Sequence, residues 1–277
     1  MQKKISLLVV LLCIAIFNMA QVKMPQPSPT QTIKQEFGLG SIELTYSRPV
    51  TRGRKIYGDL VPYNKLWRTG ANAATKIIFT DAVELGGKKL DSGTYVLYTI
   101  PGVDIWEIIL NKGINNWGTD GYKESEDVIR FKVEPGKIKN NVEALTMQFV
   151  NIKAESCEWH ITWAKTTISI PVTTNIKDRL RVQIEKGLQT NNKPYWQAAQ
   201  FYNEYDNNQA KALENCNKAI EANEKAYWIY LYKAKIQKEM GDKTGAKTSA
   251  RKSLELSKDA KNEDYVKMNE ELLRKLK

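Results

Sequence analysis

Between Ile33 and Val172 the apolar residues come in short runs, broken about every 8 to 12 residues by turn-forming residues. Runs this short cannot make buried helices, and no strand-helix-strand rhythm interrupts them, so the stretch must pair with itself as an antiparallel sheet structure. The candidate strands are Gly40–Tyr46, Thr75–Thr80, Gly93–Ile100, Ile105–Asn111, Asp127–Val133, Val142–Val150, Cys157–Ala164 and Thr167–Val172, with Gly86-Gly87 and Pro101-Gly102 as turns. In the penultimate strand Cys157, Trp159, Ile161 and Trp163 alternate with Glu158, His160 and Thr162, the pattern of one buried and one polar face. The expectation is an α+β multidomain chain that begins with a jelly-roll-like antiparallel β-sandwich over residues 33–172.

After Pro171 the period changes. Asn175 is placed to cap a helix whose residues Ile176, Leu180, Ile184 and Leu188 form one apolar stripe. Beyond Pro194 four pairs of residues lie 34 apart: Trp196 and Tyr230, Ala212 and Ala246, Cys216 and Ala250, Ile220 and Leu254. That period, with small residues where two helices would touch and Gly241 at the turn, resembles tetratricopeptide repeats. Only two repeats fit, so flanking helices near Leu180 and Leu272 are expected to cap a helical region over 173–277. The resemblance implies a protein partner.

Function is sought in Ser47–Lys76. Seven cations, Arg48, Arg52, Arg54, Lys55, Lys65, Arg68 and Lys76, face one acid, Asp59, and Pro49, Gly53, Gly58, Pro62 and Gly70 force loops and short extended pieces. The formal net charge of the chain is +11. Residues 21–172 hold 19 bases against 16 acids, so this one segment makes the β region basic. Arginine forks pair with carboxylate or phosphate and aromatic faces stack on rings. Arg48, Arg54, Tyr63, Lys65, Trp67, Arg68 and Asn72, with His160 on its strand, are therefore the candidate contacts for a small anionic or sugar-like ligand. The competing expectation is that Arg48 and Arg68 are structural, pairing with acids and loop carbonyls beneath the irregular backbone.

Ser47-Arg48-Pro49, Gly53-Arg54, Ile56-Tyr57-Gly58, Val61-Pro62-Tyr63 and Trp67-Arg68-Thr69-Gly70-Ala71-Asn72-Ala73-Ala74-Thr75 occur in that order. Gly86-Gly87-Lys88, Gly93-Thr94-Tyr95, Ile100-Pro101-Gly102, Trp106 and Asn111 follow. Together they resemble the DUF2911 family, exported proteins of Bacteroidetes and relatives, over roughly residues 30–172. The resemblance implies a domain and a compartment and supplies no reaction. Asn64 stands where the family more often has glycine, and Ala73 where it more often has an acid.

Lys3 and Lys4 precede an apolar run from Ile5 to Phe17, too short to span a bilayer, and Asn18-Met19-Ala20 offers a cleavage site after Ala20. Residues 1–20 thus read as a signal peptide that takes Cys13 with it, and residues 21–32, with Pro25, Pro27 and Pro29, as a tether. The mature chain is expected in the periplasm or outside the cell, without a membrane span and without nucleic acid as partner. Cys157 and Cys216 fall in different regions, which favours free buried thiols, although export would allow a bridge.

The single histidine and the absence of HExxH, CxxC, a phosphate loop and GxSxG leave no standard catalytic template, cofactor or metal site. Ser249 and Lys252 match SxxK by spacing alone, and Asn115–Tyr122 has calcium-type oxygens but lacks the spacing of a known loop. Three functions remain open: an exported binding or scaffolding protein, an envelope hydrolase using Arg48, Arg68 and His160, or a purely structural envelope component.

Overall fold

The computed structural model describes residues 24–277, so the expected signal peptide, its expected cleavage site and Cys13 lie outside the described residues. The chain divides between Thr174 and Asn175 into two compact units. No helix among the described residues is long and apolar enough to cross a membrane.

Among the described residues the first unit holds ten strands: β1 (Thr30–Phe37), β2 (Gly40–Ser47), β3 (Thr75–Phe79), β4 (Val83–Leu85), β5 (Lys88–Leu90), β6 (Gly93–Ile100), β7 (Trp106–Asn111), β8 (Asp127–Val133), β9 (Gly136–Val150) and β10 (Ser156–Thr173). They form a six-stranded sheet ordered β1-β2-β3-β6-β7-β8 and a four-stranded sheet ordered β5-β4-β10-β9. Every pairing is antiparallel. Thr30, Gln31 and Thr32, expected in the tether, are part of β1 and pair with β2. The Gly86-Gly87 turn joins the short hairpin β4-β5, where no strand was expected.

One apolar cluster draws on both sheets, taking Ile42, Leu44, Ile77, Leu97 and Ile108 from the larger and Met147, Trp159, Ile161, Ile168 and Ile170 from the smaller. The two last expected strands are one, β10. Its inward residues are odd-numbered from Cys157 to Trp163 and even-numbered from Ile168 to Val172. A period-two strand can make that switch only by absorbing a register slip, and the pairing with β9 shifts on both sides of Ala164, whose φ is 52°. The bulge keeps both halves of an 18-residue strand facing the same core.

The stretch after β2 stitches the sheets together. Val50 bridges Ala144 of β9, the Thr51 amide donates to the Glu143 carbonyl at 2.8 Å, and the Leu145 amide donates to the Pro49 carbonyl at 2.9 Å. Arg48 Nε donates to the Leu145 carbonyl at 3.0 Å and its Nη2 to Thr146 Oγ1 at 2.9 Å. The Met147 amide donates to the buried Tyr46 hydroxyl at 2.8 Å. Backbone and side chains at the end of β2 and just after it thus satisfy donors and acceptors along β9, the edge of the smaller sheet, that would otherwise be left open.

The second unit holds six helices among the described residues: α1 (Lys177–Gly187), α2 (Tyr195–Glu204), α3 (Gln209–Ala222), α4 (Tyr227–Glu239), α5 (Lys243–Asp259) and α6 (Glu263–Lys275). Asn175 does not cap α1: Ile176 takes that position with no side-chain hydrogen bond. Two of the four pairs of residues 34 apart share a fully buried position. Ala212, Cys216, Ala246 and Ala250 are all fully buried, and the side chains of Asn208 and Asp242, again 34 apart, cap α3 and α5 by accepting from Lys211 N and Gly245 N. Gly241 ends α4 at φ 84°.

The Tyr46 contact yields a direct test. Tyr46→Phe leaves the buried Met147 amide without its acceptor, and we expect it to cost about 1–3 kcal/mol. Urea unfolding followed at amide resonances of β9 and β10 reads the loss.

Candidate functional site

Where the ends of the two sheets meet, the loop after β2, the β6-β7 turn, the β8-β9 turn and the bulge of β10 enclose a cleft of about 620 Å³. Tyr57, Tyr63, Asp104, Glu134, Lys137 and Thr166 are among its lining residues. The local chain is built for this. Gly58 sits at φ 86°, and a Cβ there would lie 2.6 Å from the Tyr63 ring, so glycine alone lets Tyr63 fold down beside it. Asn64 follows at φ 58° and donates its amide to the Pro101 carbonyl at 2.7 Å, tying this loop to the β6-β7 turn.

The floor is aromatic. Tyr57 meets Trp106 edge-on at 4.9 Å and Trp67 at 6.2 Å, while Trp67 stacks on Trp163 at 6.0 Å. Burial, and secondarily the nearby Tyr63, holds the Tyr57 phenol above its ordinary pKa, so it stays a neutral donor and acceptor. No described residue hydrogen-bonds its hydroxyl. The rim carries two carboxylates, Asp104 and Glu134, against one amine, Lys137. That balance suits hydroxyl groups better than an anion.

Of the candidate ligand contacts named from the sequence, Tyr63 alone lines the cleft. Trp67 is buried behind Tyr57, its indole N–H donating to the Gly70 carbonyl at 3.2 Å. Arg48 is bound to β9, and Arg54 folds back on its own loop, donating to the carbonyls of Thr51 at 2.9 Å and Val50 at 2.7 Å. Both hold irregular backbone in place, and neither lines the cleft. Lys65 is exposed but does not line the cleft, and Asn72 donates to the Ser28 carbonyl and to Ser47 Oγ. Arg68 lies beside Gly118 in the loop after β7, with a buried Nε that has no partner. That loop contributes Tyr122 to a second apolar cluster with Val96, Tyr98 and Ile109, on the face of the larger sheet away from the shared core.

His160 is elsewhere. It lies on the face of β10 opposite Trp159 and Ile161, so the shared core separates it from Arg68. The structure does not assemble the Arg48, Arg68 and His160 constellation required by the hydrolase reading. Instead His160 Nε2 lies 2.9 Å from Glu158 Oε2, which also accepts from Ser169 Oγ at 2.8 Å, while Glu158 Oε1 accepts from Asn151 at 2.7 Å. These three contacts, His160 first, bring the Glu158 carboxyl down to about 2.

Cys157 and Cys216 are buried free thiols, one in each unit, and burial pushes them up to about 11 and about 12, far from the reactive thiolate range. No group of three or more His, Cys, Asp or Glu among the described residues is placed to hold a metal ion.

Against known families, residues 28–172 match the family described as "Protein of unknown function (DUF2911)". That span is just over half of the chain. The chain belongs to the DUF2911 family. No curated protein matches it. The DUF2911 match begins two residues before β1 and ends one residue before the last of β10, so it covers the two-sheet unit and stops short of the helices. Within the DUF2911 segment, Ile56-Tyr57-Gly58 and Val61-Pro62-Tyr63 each give the cleft one tyrosine, Tyr57 and Tyr63, whereas Ser47-Arg48-Pro49 builds the seam with β9. The positive φ at Asn64 accounts for glycine being the expected residue there, since asparagine is the side chain that best tolerates that conformation. Asp104, Glu134, Lys137 and Thr166 escaped sequence reasoning because they come from three distant connections. Pro101-Gly102 and Pro135-Gly136 were the available signals, marking turns that the fold brings to one end.

Replacing His160 with Ala removes the foremost cause of the Glu158 depression, so the carboxyl should titrate higher than in the wild type in a carbon-13 NMR titration. Because a depressed carboxylate stabilises the fold above its unfolded range and loses that contribution as pH falls toward 2, the wild type's stability advantage over the variant should be full at neutral pH and shrink as the solution is acidified.

Proposed function

We propose that this DUF2911 protein is an exported binding protein. In this reading the two sheets form a jelly-roll-like β-sandwich that receives a small sugar-like ligand, and the tetratricopeptide-like helices engage a protein partner. The observation that carries it is the cleft itself: an aromatic floor with two tyrosine edges, a free phenol hydroxyl and a polar rim of Asp104, Glu134, Lys137 and Thr166. Carbohydrate recognition needs that combination, ring faces for the C–H surface and a mixture of donors and acceptors for the hydroxyls. The rim argues for a neutral sugar over the anionic alternative, since two carboxylates would repel a carboxylate or phosphate. Export is supported by the leader pattern of residues 1–20, and a partner-binding role for the helices by the 34-residue period.

Titrating the full chain with neutral oligosaccharides, read by amide shifts, should perturb residues around Tyr57, Gly102 and Thr166 in a saturable way. Tyr63→Ala should weaken the binding about tenfold, the scale of one aromatic contact. Millimolar oligosaccharides that leave the cleft resonances unmoved, while small anions shift them, would contradict this reading.

A further inference from the structure

A second cleft, of about 290 Å³, lies within the helical unit between the end of α1, α2 and α3. Its charge is opposite in sense to the first. Lys193, Lys211 and Lys218 line it against one acid, Glu214. The amines are not simply loose on the surface. Lys211 Nζ lies 5.1 Å from the centroid of the Tyr202 ring and Lys218 Nζ lies 5.7 Å from that of Tyr195, so two aromatic faces of α2 hold two cations of α3 at the cleft wall.

Between those cations is Asn215, only 6% exposed although it lines the cleft. Its Nδ2 donates to the Lys211 carbonyl at 2.8 Å, while its Oδ1 accepts no hydrogen bond from any described residue. An amide oxygen of a cleft-lining residue that no protein donor occupies is free to accept a hydrogen bond from a ligand. The sole acid is weakly committed. Glu214 pairs with Lys218 at 2.6 Å, but the two side chains are 58% and 41% exposed, and an exposed pair of this kind contributes only about 0.2–1 kcal/mol. An incoming carboxylate can displace it.

We infer that this cleft binds an extended acidic peptide, with carboxylates on Lys211 and Lys218 and a peptide N–H on Asn215. The spacing fits. Lys211 and Lys218 are two helical turns apart, about 10 Å along α3. On a peptide in the polyproline II conformation, with three residues per turn and about 3.1 Å per residue, side chains three apart point the same way and are separated by about 9 Å. An acid at each of those positions meets a lysine, and the intervening backbone passes Asn215. The inference rests on the reading of the helices as a partner-binding unit and is independent of the sugar cleft.

The test uses the full chain and a fluorescent, acetylated and amidated peptide Glu-Ala-Ala-Glu, followed by anisotropy, with Gln-Ala-Ala-Gln and Lys-Ala-Ala-Lys as controls. The acidic peptide should bind saturably, and binding should weaken as NaCl rises from 50 to 500 mM. Lys211→Glu with Lys218→Glu should weaken it at least tenfold at unchanged helical circular dichroism, whereas Lys252→Glu, on α5 away from the cleft, should leave it intact. Asn215→Ala, checked the same way, should weaken it severalfold. Equal binding of the glutamine peptide, an unaffected double variant, or displacement by inorganic phosphate at concentrations matching the peptide would overturn the inference. If the acidic peptide fails but a control peptide binds, the partner-binding reading survives without this ligand; if none binds, both fall.

Discussion

The hydrogen bonds that join Pro49, Val50 and Thr51 to β9 are the constraint on which the two-sheet unit depends. Two sheets packed through one apolar core have little in that core to fix where one sits along the other, because apolar packing is not directional. Direction comes from the crossing segment. Three residues of backbone, with Tyr46 and Arg48 beside them, meet Glu143, Leu145, Thr146 and Met147 in register. Glu143 strengthens the junction from its side chain, which accepts from Thr51 Oγ1 and the Arg52 amide. Once that register is set, the loop leaving it must return toward Trp67, and its shortest path lays Tyr57 and Tyr63 across the end of the core.

This explains why the cationic segment is so rich in glycine and proline without being an open ligand loop. Left-handed residues Arg52, Gly53, Gly58, Asn64, Thr69 and Asn72 punctuate it. A backbone this irregular leaves carbonyls that no ladder satisfies, and Arg48 and Arg54 supply the missing donors. Arginine suits the task because its planar fork reaches two oxygens at once while the charge remains partly hydrated.

Legibility in the sequence followed period and burial. Strands with a clean alternation, such as β2 and the first half of β10, could be placed to within a residue or two, and the 34-residue helical period survived into matching caps at Asn208 and Asp242. β1 hid because Thr30–Phe37 is an edge strand with only Ile33 and Phe37 apolar, and β4 and β5 because three residues carry no period. β10 looked like two strands because its bulge at Ala164 reverses the alternation. The cleft was half visible. Residue type showed that Ser47–Lys76 was special, but which oxygen each arginine would meet is a property of the fold, and the acids of the rim sit in turns far from it in sequence. The two units end with complementary chemistry, an acid-rimmed aromatic cleft on one and a lysine-lined cleft on the other.

Native-state hydrogen exchange of the Thr51 and Leu145 amides tests the central claim most directly, because each donates across the seam. If the segment is the joint between the sheets, both amides should be protected to the same degree as the β9-β10 ladder and open with it. Exchange at the rate of a solvated loop, with β9 and β10 still protected, would show that the sheets hold together without it.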